Sequence, residues 1–244
     1  MLRTLVASGG LIAALSIVPV LAIRPVPVAR GRLAPPTRND LLRRFLLIEM
    51  LFGLGAGSFL PFLNLFFTDR FAVPFDALGL LLGVLALSGS VGALVHGRFL
   101  APRLGGIRAV VSAELLSLPF ALTAAFSGQL AIAVPALAAR HFLMYGATGT
   151  MNAFQLSSFS PAERAGANAV LALSWSAASA VGAVISGATR SALGASTGFT
   201  VNLAALVACY GLAAIFTWRL FSGHEPRGDR VAGVTVAPGP DSRA

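Results

Sequence analysis

Seven apolar stretches dominate the sequence, at about residues 4–23, 45–67, 78–96, 109–126, 130–152, 167–189 and 198–218. Each runs to roughly 18–23 residues, and about 20 helical residues cross the hydrocarbon core of a bilayer. They are rich in Ala, Gly, Leu and Val and apolar all round, as membrane-spanning helices must be. The rest of the chain cannot supply a hydrated surface, because only 11% of its residues are charged and 56% are hydrophobic. A soluble domain carries about 25% charged residues. The sequence therefore predicts an all-α integral membrane protein. Arg3 and nearby small residues give the first stretch the look of a secretory signal. Its apolar part is too long for that and ends in Pro19 and Arg24 without a persuasive cleavage site, so it reads as a membrane helix.

The charges fix an orientation. All 18 basic residues are arginines, and with nine acids the net charge is +9. In a soluble chain that excess would suggest nucleic acid, but here the arginines fall between the apolar stretches and read as topology signals. Fourteen lie in the connections 24–44, 97–108 and 153–166 and in the tail from 219, against Arg3, Arg70 and Arg190 on the opposite side. The bias predicts a multi-pass protein of the cytoplasmic membrane with its amino terminus outside and its carboxyl terminus cytoplasmic.

Two segments fall outside the membrane pattern. Residues 24–44 are proline-rich and carry a charge of +5, from six arginines and Asp40, which predicts a cytoplasmic linker in which Asn39 or Asp40 caps the next helix. Residues 219–244 are polar with mixed charge and no apolar period, which predicts a disordered cytoplasmic tail. The chain then divides into a leading helix (1–23), the linker, a six-helix block (45–218) and the tail. A single cysteine excludes an internal disulfide framework.

An ionised side chain near the centre of a membrane helix costs on the order of 2.5–3.5 kcal/mol by insertion scales, so each one needs a reason. Arg140 and His141 lie about ten residues into the fifth stretch, close to the midplane. Arg140 is either a partner for a solute anion or carboxylate facing a central cavity, or a tie between helices. His141 can titrate near neutrality, although a lone histidine on an apolar helix is more often a packing residue. Glu114 sits about one and a half turns in from the cytoplasmic side, where a carboxyl suits proton transfer better than fixed charge. Glu49 is shallower and reads as a solvated or arginine-paired acid, and His96 as an interfacial residue beside Arg98. Asn64, Asn152, Gln155 and Asn202 either line a solute path or bond helix to helix, and packing is the commoner use.

Gly53, Gly55 and Gly57 followed by Pro61 lie within an apolar span with no strand before them, so they point to close helix approach and a kink rather than a phosphate loop. Ala178, Gly182 and Ser186 form a small-residue stripe at i, i+4 and i+8. Gly194-Ala195-Ser196-Thr197-Gly198 matches the hydrolase pattern G-x-S-x-G but lies in a short external connection without acid or histidine partners, so it carries no catalysis. No metal-ligand spacing appears. The residues predict neither an enzyme nor a cofactor.

Several runs in one order resemble the carboxyl-terminal half of a major facilitator superfamily transporter, over about residues 45–218. Gly53 to Pro61 followed by Phe66-Phe67-Thr68-Asp69-Arg70-Phe71 is similar to that family's seventh helix and its outer end, and Ala77-Leu78-Gly79-Leu80-Leu81 to the opening of the eighth. Leu100-Ala101-Pro102-Arg103-Leu104-Gly105 resembles the second-half echo of its short loop motif, with Arg103 and Gly105 at the arginine and glycine positions and Pro102 where the motif has an acid. Arg140 through Gly146 and Gly149 resembles the tenth helix. Ser160-Pro161-Ala162-Glu163-Arg164-Ala165-Gly166-Ala167-Asn168 is similar to the P-x-E-R-x-x-x-N run that leads into the eleventh, placing Pro161, Glu163, Arg164 and Asn168 at the motif positions.

The resemblance implies that residues 4–23 are the sixth helix, that 24–44 join two transporter halves, and that a small solute crosses between the halves by alternating access, with protons as a coupling ion and efflux as a direction to test. Because solute binds between pseudo-symmetric halves, it also implies that this chain works with an amino-terminal half or a second copy. On that reading Arg140, Glu114, His141, Glu49, Asn64 and Asn152 are the candidates along the solute or ion path. Two other classes remain open: a non-transporting membrane fragment or regulatory half, and a seven-helix receptor. The receptor class is disfavoured, since without lysine no retinal Schiff base can form, and Asp69-Arg70, the adjacent Asp-Arg pair of the six-helix block, falls outside.

Overall fold

The structure, a computed structural model, describes residues 39–223. The predicted leading helix, most of the linker and the tail beyond residue 223 lie outside the described residues. Eight helices follow in chain order: α1 (Asn39–Phe59), α2 (Leu63–Phe71), α3 (Phe75–Val95), α4 (Ala101–Leu104), α5 (Gly106–Phe126), α6 (Leu130–Ser157), α7 (Arg164–Leu193) and α8 (Ala195–Phe221). They make six membrane spans, because a 3-10 turn at Leu60–Phe62 joins α1 to α2 and a π-helical turn at His96–Leu100 joins α3 to α4. The first turn contains Pro61, whose missing N–H interrupts the helical ladder where the sequence predicts a kink.

All six predicted spans are present, but their ends move outward. Helix α1 starts at Asn39 rather than 45, so the last residues of the predicted linker are helical and Asp40 lies in the first turn, where its charge suits the helix dipole. Helix α8 runs to Phe221 rather than 218, so the predicted tail begins inside it. Spanning helices continue into the headgroup region, where water and lipid solvate polar residues without ending the helix.

Two helix junctions are one glycine long. Gly105 between α4 and α5 has φ 86° and ψ 150°, and Gly194 between α7 and α8 has φ 79° and ψ 164°. Side chains other than hydrogen essentially exclude that region, so each site requires glycine and reverses the chain within a single residue.

Glycine also sets the packing. In α1, Gly53 and Gly57 press on the backbone of α7 so closely that a Cβ at either would strike the carbonyl oxygen of Trp175 or Ser179, and Gly182 presses back on Leu54 and Ser58. The predicted small-residue stripe Ala178, Gly182 and Ser186 is buried in that seam. A second seam joins α3 to α6, where Gly92 meets the carbonyl of Phe142 and Gly146 meets Gly92 and His96. The bundle thus contains two backbone-to-backbone pairs, α1 with α7 and α3 with α6, with α5 packed against α6 and α8, and α8 against α1.

Two aromatic clusters close the bundle at opposite ends. Phe45 stacks on Phe221 at 4.5 Å between ring centres, with Phe154 and Phe159 at its edges, on the side that the arginine rule makes cytoplasmic. At the other end Phe66 packs against Phe59, Phe67, Phe71 and Phe199 within 5.5 Å. Edge and offset contacts of this kind add about 0.5–1.5 kcal/mol per pair beyond burial.

Candidate functional site

Between the two aromatic clusters lies a cavity of 430 Å³ built from α1, α5, α6, α7 and α8. The order of residues along each helix places it there: Glu49, Phe52 and Ala56 on α1 lie between Phe45 and Phe59, Glu114 lies mid-way along α5, and Tyr210 on α8 lies between Phe199 and Phe221. Helix α6 supplies Arg140 and Asn152, and α7 supplies Asn168 and Trp175.

At its floor the cavity holds two polar groups that nothing among the described residues satisfies. Arg140 is 3% exposed and Glu114 is 2% exposed. Arg140 Nη2 and Glu114 Oε2 are buried without a hydrogen-bond partner among the described residues. The Arg140 Cζ lies 5.2 Å from the Tyr210 ring centre. A buried polar atom left unpaired costs about 1–3 kcal/mol, and more if charged. Two such atoms of opposite chemistry in one cavity are costly for a purely structural site.

Glu49 has a different setting. Its Oε1 accepts a hydrogen bond from Gln155 Nε2 at 2.6 Å, so the half-buried acid is tied to α6 by an amide rather than paired with an arginine. That bond links the α1–α7 pair to the α3–α6 pair at the Phe45 end of the cavity. On the open side Thr148, Asn152, Asn168 and Ser176 are exposed. A strip of polar side chains running from near mid-span toward the Phe45 end suits water or an apposed protein surface better than lipid.

Four of the six path candidates, Arg140, Glu114, Glu49 and Asn152, thus line one cavity. The other two do not. Asn64 is exposed on α2, near the Phe66 end of the bundle. His141 is 5% exposed and turned off the cavity, with Nδ1 bonded to the Leu137 carbonyl at 2.8 Å and its ring stacked on Tyr145 at 5.6 Å, so it packs α6. His96 is packed at 3% exposure where the helix continues past it through the π-helical turn, and its Nδ1 meets Thr150 Oγ1 at 3.0 Å. Asn202 bonds Ser186 Oγ at 2.7 Å and ties α8 to α7, the packing use.

The loop-motif residues build joints. Arg103 is exposed over the Phe99 ring, and Gly105 provides the one-residue reversal described above. Pro161 opens an exposed turn that Glu163 closes, its Oε2 accepting from Ser160 Oγ at 2.6 Å and from the Ser160 backbone N–H at 3.3 Å. Arg164 starts α7 and its Nε donates to the Phe159 carbonyl at 3.2 Å. Asn168, one turn on, reaches the cavity wall.

Tyr210, Tyr145, Trp175 and Phe52 line the cavity and were not candidates from sequence. A signal was available: the chain has two tyrosines, and both line the site. A phenol in the middle of an apolar span needs a partner, as an arginine does.

Six apolar spans, and no strand among the described residues, define a polytopic α-helical membrane protein. No protein-family model matches its sequence, and no curated protein does. Among solved structures it is similar to a bacterial homologue of the human lysosomal transporter Spinster in an inward-facing, unoccupied conformation, with a TM-score of 0.63 at 17% sequence identity. The match covers 92% of this chain and 60% of that one. The chain shares the fold of that structure over the matched residues.

Proposed function

We propose that this protein is part of a secondary transporter that moves a small solute across the cytoplasmic membrane by alternating access, with proton-coupled efflux as its mode. The observation that carries the reading is the pairing of Arg140 and Glu114 at one cavity, each buried and each with a polar atom that nothing in the described bundle satisfies. Intramembrane charge retained at that cost marks solute and proton paths. Arg140 is the solute contact and Glu114 the proton site. The exposed polar strip on α6 and α7 is where an opposing half, supplied by an amino-terminal half or by a second copy, closes the cavity. The similarity to a transporter structure supports this reading through the fold.

Energised inside-out vesicles containing the intact protein test it, with quinacrine fluorescence reporting proton release as a panel of organic anions, cations and zwitterions is added. The wild type dissipates the gradient with at least one solute. Glu114→Gln removes the proton signal, and Arg140→Ala weakens the response by about tenfold or more, the worth of a charge-assisted hydrogen bond. Unchanged responses in both variants would remove the mechanism.

A further inference from the structure

The two unsatisfied atoms differ in what they accept. Arg140 Nη2 is a cationic donor in search of an anion, and Glu114 Oε2 is a carboxyl oxygen suited to an ammonium donor. Both residues line the same cavity, and Tyr210 stands within electrostatic range of each. The remaining acid, Glu49, already accepts from Gln155 through Oε1. With Glu114 ionised, a solute of single charge would satisfy one of the two groups and leave the other buried and unpaired. A solute bearing one anionic and one ammonium group satisfies both.

The rest of the wall constrains the body that joins those groups. Phe52, Tyr145, Trp175 and Tyr210 give it four aromatic side chains, with Met144 and Met151 as adaptable fillers. The part of the cavity that this bundle encloses measures 430 Å³, within the range of about 300–1,000 Å³ that ligand cavities span.

We infer that this site binds a small zwitterion with an aromatic body, its carboxylate on Arg140 and its ammonium on Glu114. The inference rests on the proposed solute role of the cavity and narrows it to a class. The Tyr210 ring, 5.2 Å from the Arg140 Cζ, flanks that group in the same cavity wall. Satisfying both ends is what sets this class apart from simple cations or anions.

Three probes with one phenyl body separate the contributions: L-phenylalanine, 3-phenylpropionate, which lacks the ammonium, and 2-phenylethylamine, which lacks the carboxylate. Binding is measured by calorimetry at pH 7 on the intact protein purified from native membrane with whatever accompanies it. L-Phenylalanine is expected to bind about tenfold to a hundredfold more tightly than either analogue. In Arg140→Gln the advantage over 2-phenylethylamine disappears while the advantage over 3-phenylpropionate persists, and Glu114→Gln gives the converse. Since the comparison of probes on the wild type needs no variant to fold, a poorly folding variant leaves the test intact. Equal binding of L-phenylalanine and either analogue overturns the class, as does no binding of any probe. If that failure accompanies a proton signal that still depends on Glu114 and Arg140, the transporter reading stands without the zwitterion. If L-phenylalanine binds as expected but no solute moves protons, the zwitterion site stands without the transporter.

Discussion

Gln155 and Glu49 show how one amide can hold an acid inside the membrane. The 2.6 Å bond gives the half-buried carboxyl a donor and fastens α6 to α1. Gln155→Leu is expected to lower stability by about 1–3 kcal/mol, the cost of stranding a buried polar group, measured as thermal unfolding in detergent. Gln155→Leu combined with Glu49→Leu should recover much of that loss, since removing both partners strands neither. A double variant no more stable than the single one would show that the bond is not what matters there. Arg140 and Glu114 were legible in the sequence because charge in hydrocarbon is costly whatever the fold. Tyr210, Trp175 and the partnership of Gln155 with Glu49 were not, because their meaning lies in the convergence of α1, α5, α6, α7 and α8 on one cavity. Asn64 and His141 mark the same limit. Depth along a helix can be counted in residues, but the direction a side chain faces needs an apolar stripe, and helices apolar all round have none.

Glycines divide by what they meet. Gly57 presses on the Ser179 carbonyl and Gly92 on that of Phe142, whereas Gly79 and Gly83 have nothing within 4 Å of a would-be Cβ. Gly57→Ala and Gly92→Ala should each cost about 1–3 kcal/mol through overpacking. Gly79→Ala, in the same span as Gly92, should be neutral or stabilising by up to about 1 kcal/mol through helix propensity. Equal effects at Gly79 and Gly92 in thermal unfolding would contradict the seam. At the junctions, Gly105→Ala forces a methyl group into φ 86°, a strain of about 1–3 kcal/mol. The six spans themselves were readable from hydropathy because a backbone in hydrocarbon has little choice but to bond internally. Their ends were not, since helix termini at the interface are set by caps and lipid headgroups. Nor were the seams fully readable: the stripe on α7 was visible, but its partners Gly53 and Gly57 on α1 follow only from the packing.

Within the described bundle, Arg43, Arg44, Arg98, Arg103, Arg108, Arg164 and Arg219 cluster toward one end, and Arg70 and Arg190 lie at the other. The end with more arginines should face the cytoplasm. In a Cys209→Ser background, a cysteine replacing Ser157 should react with an impermeant maleimide only in inside-out vesicles, and one replacing Ser196 only in intact cells. The reverse pattern would invert the orientation. The opposite end has its own anchors: Arg190 lies 4.2 Å from the Phe62 ring centre and 5.1 Å from that of Phe199, and Arg70 donates to Thr200 Oγ1 and the Ser127 carbonyl. The backbone seams have a further consequence for how shape change is distributed. Backbones in direct contact cannot slide without clashing, so α1 with α7 and α3 with α6 form two stiff pairs, tied at the cavity by the Gln155–Glu49 bond and bridged by α5 and α8. Spin labels at Met50 and Leu173, both exposed, should report one narrow distance under all conditions, whereas a pair at Met50 and Leu156 should broaden or split as the cavity fills.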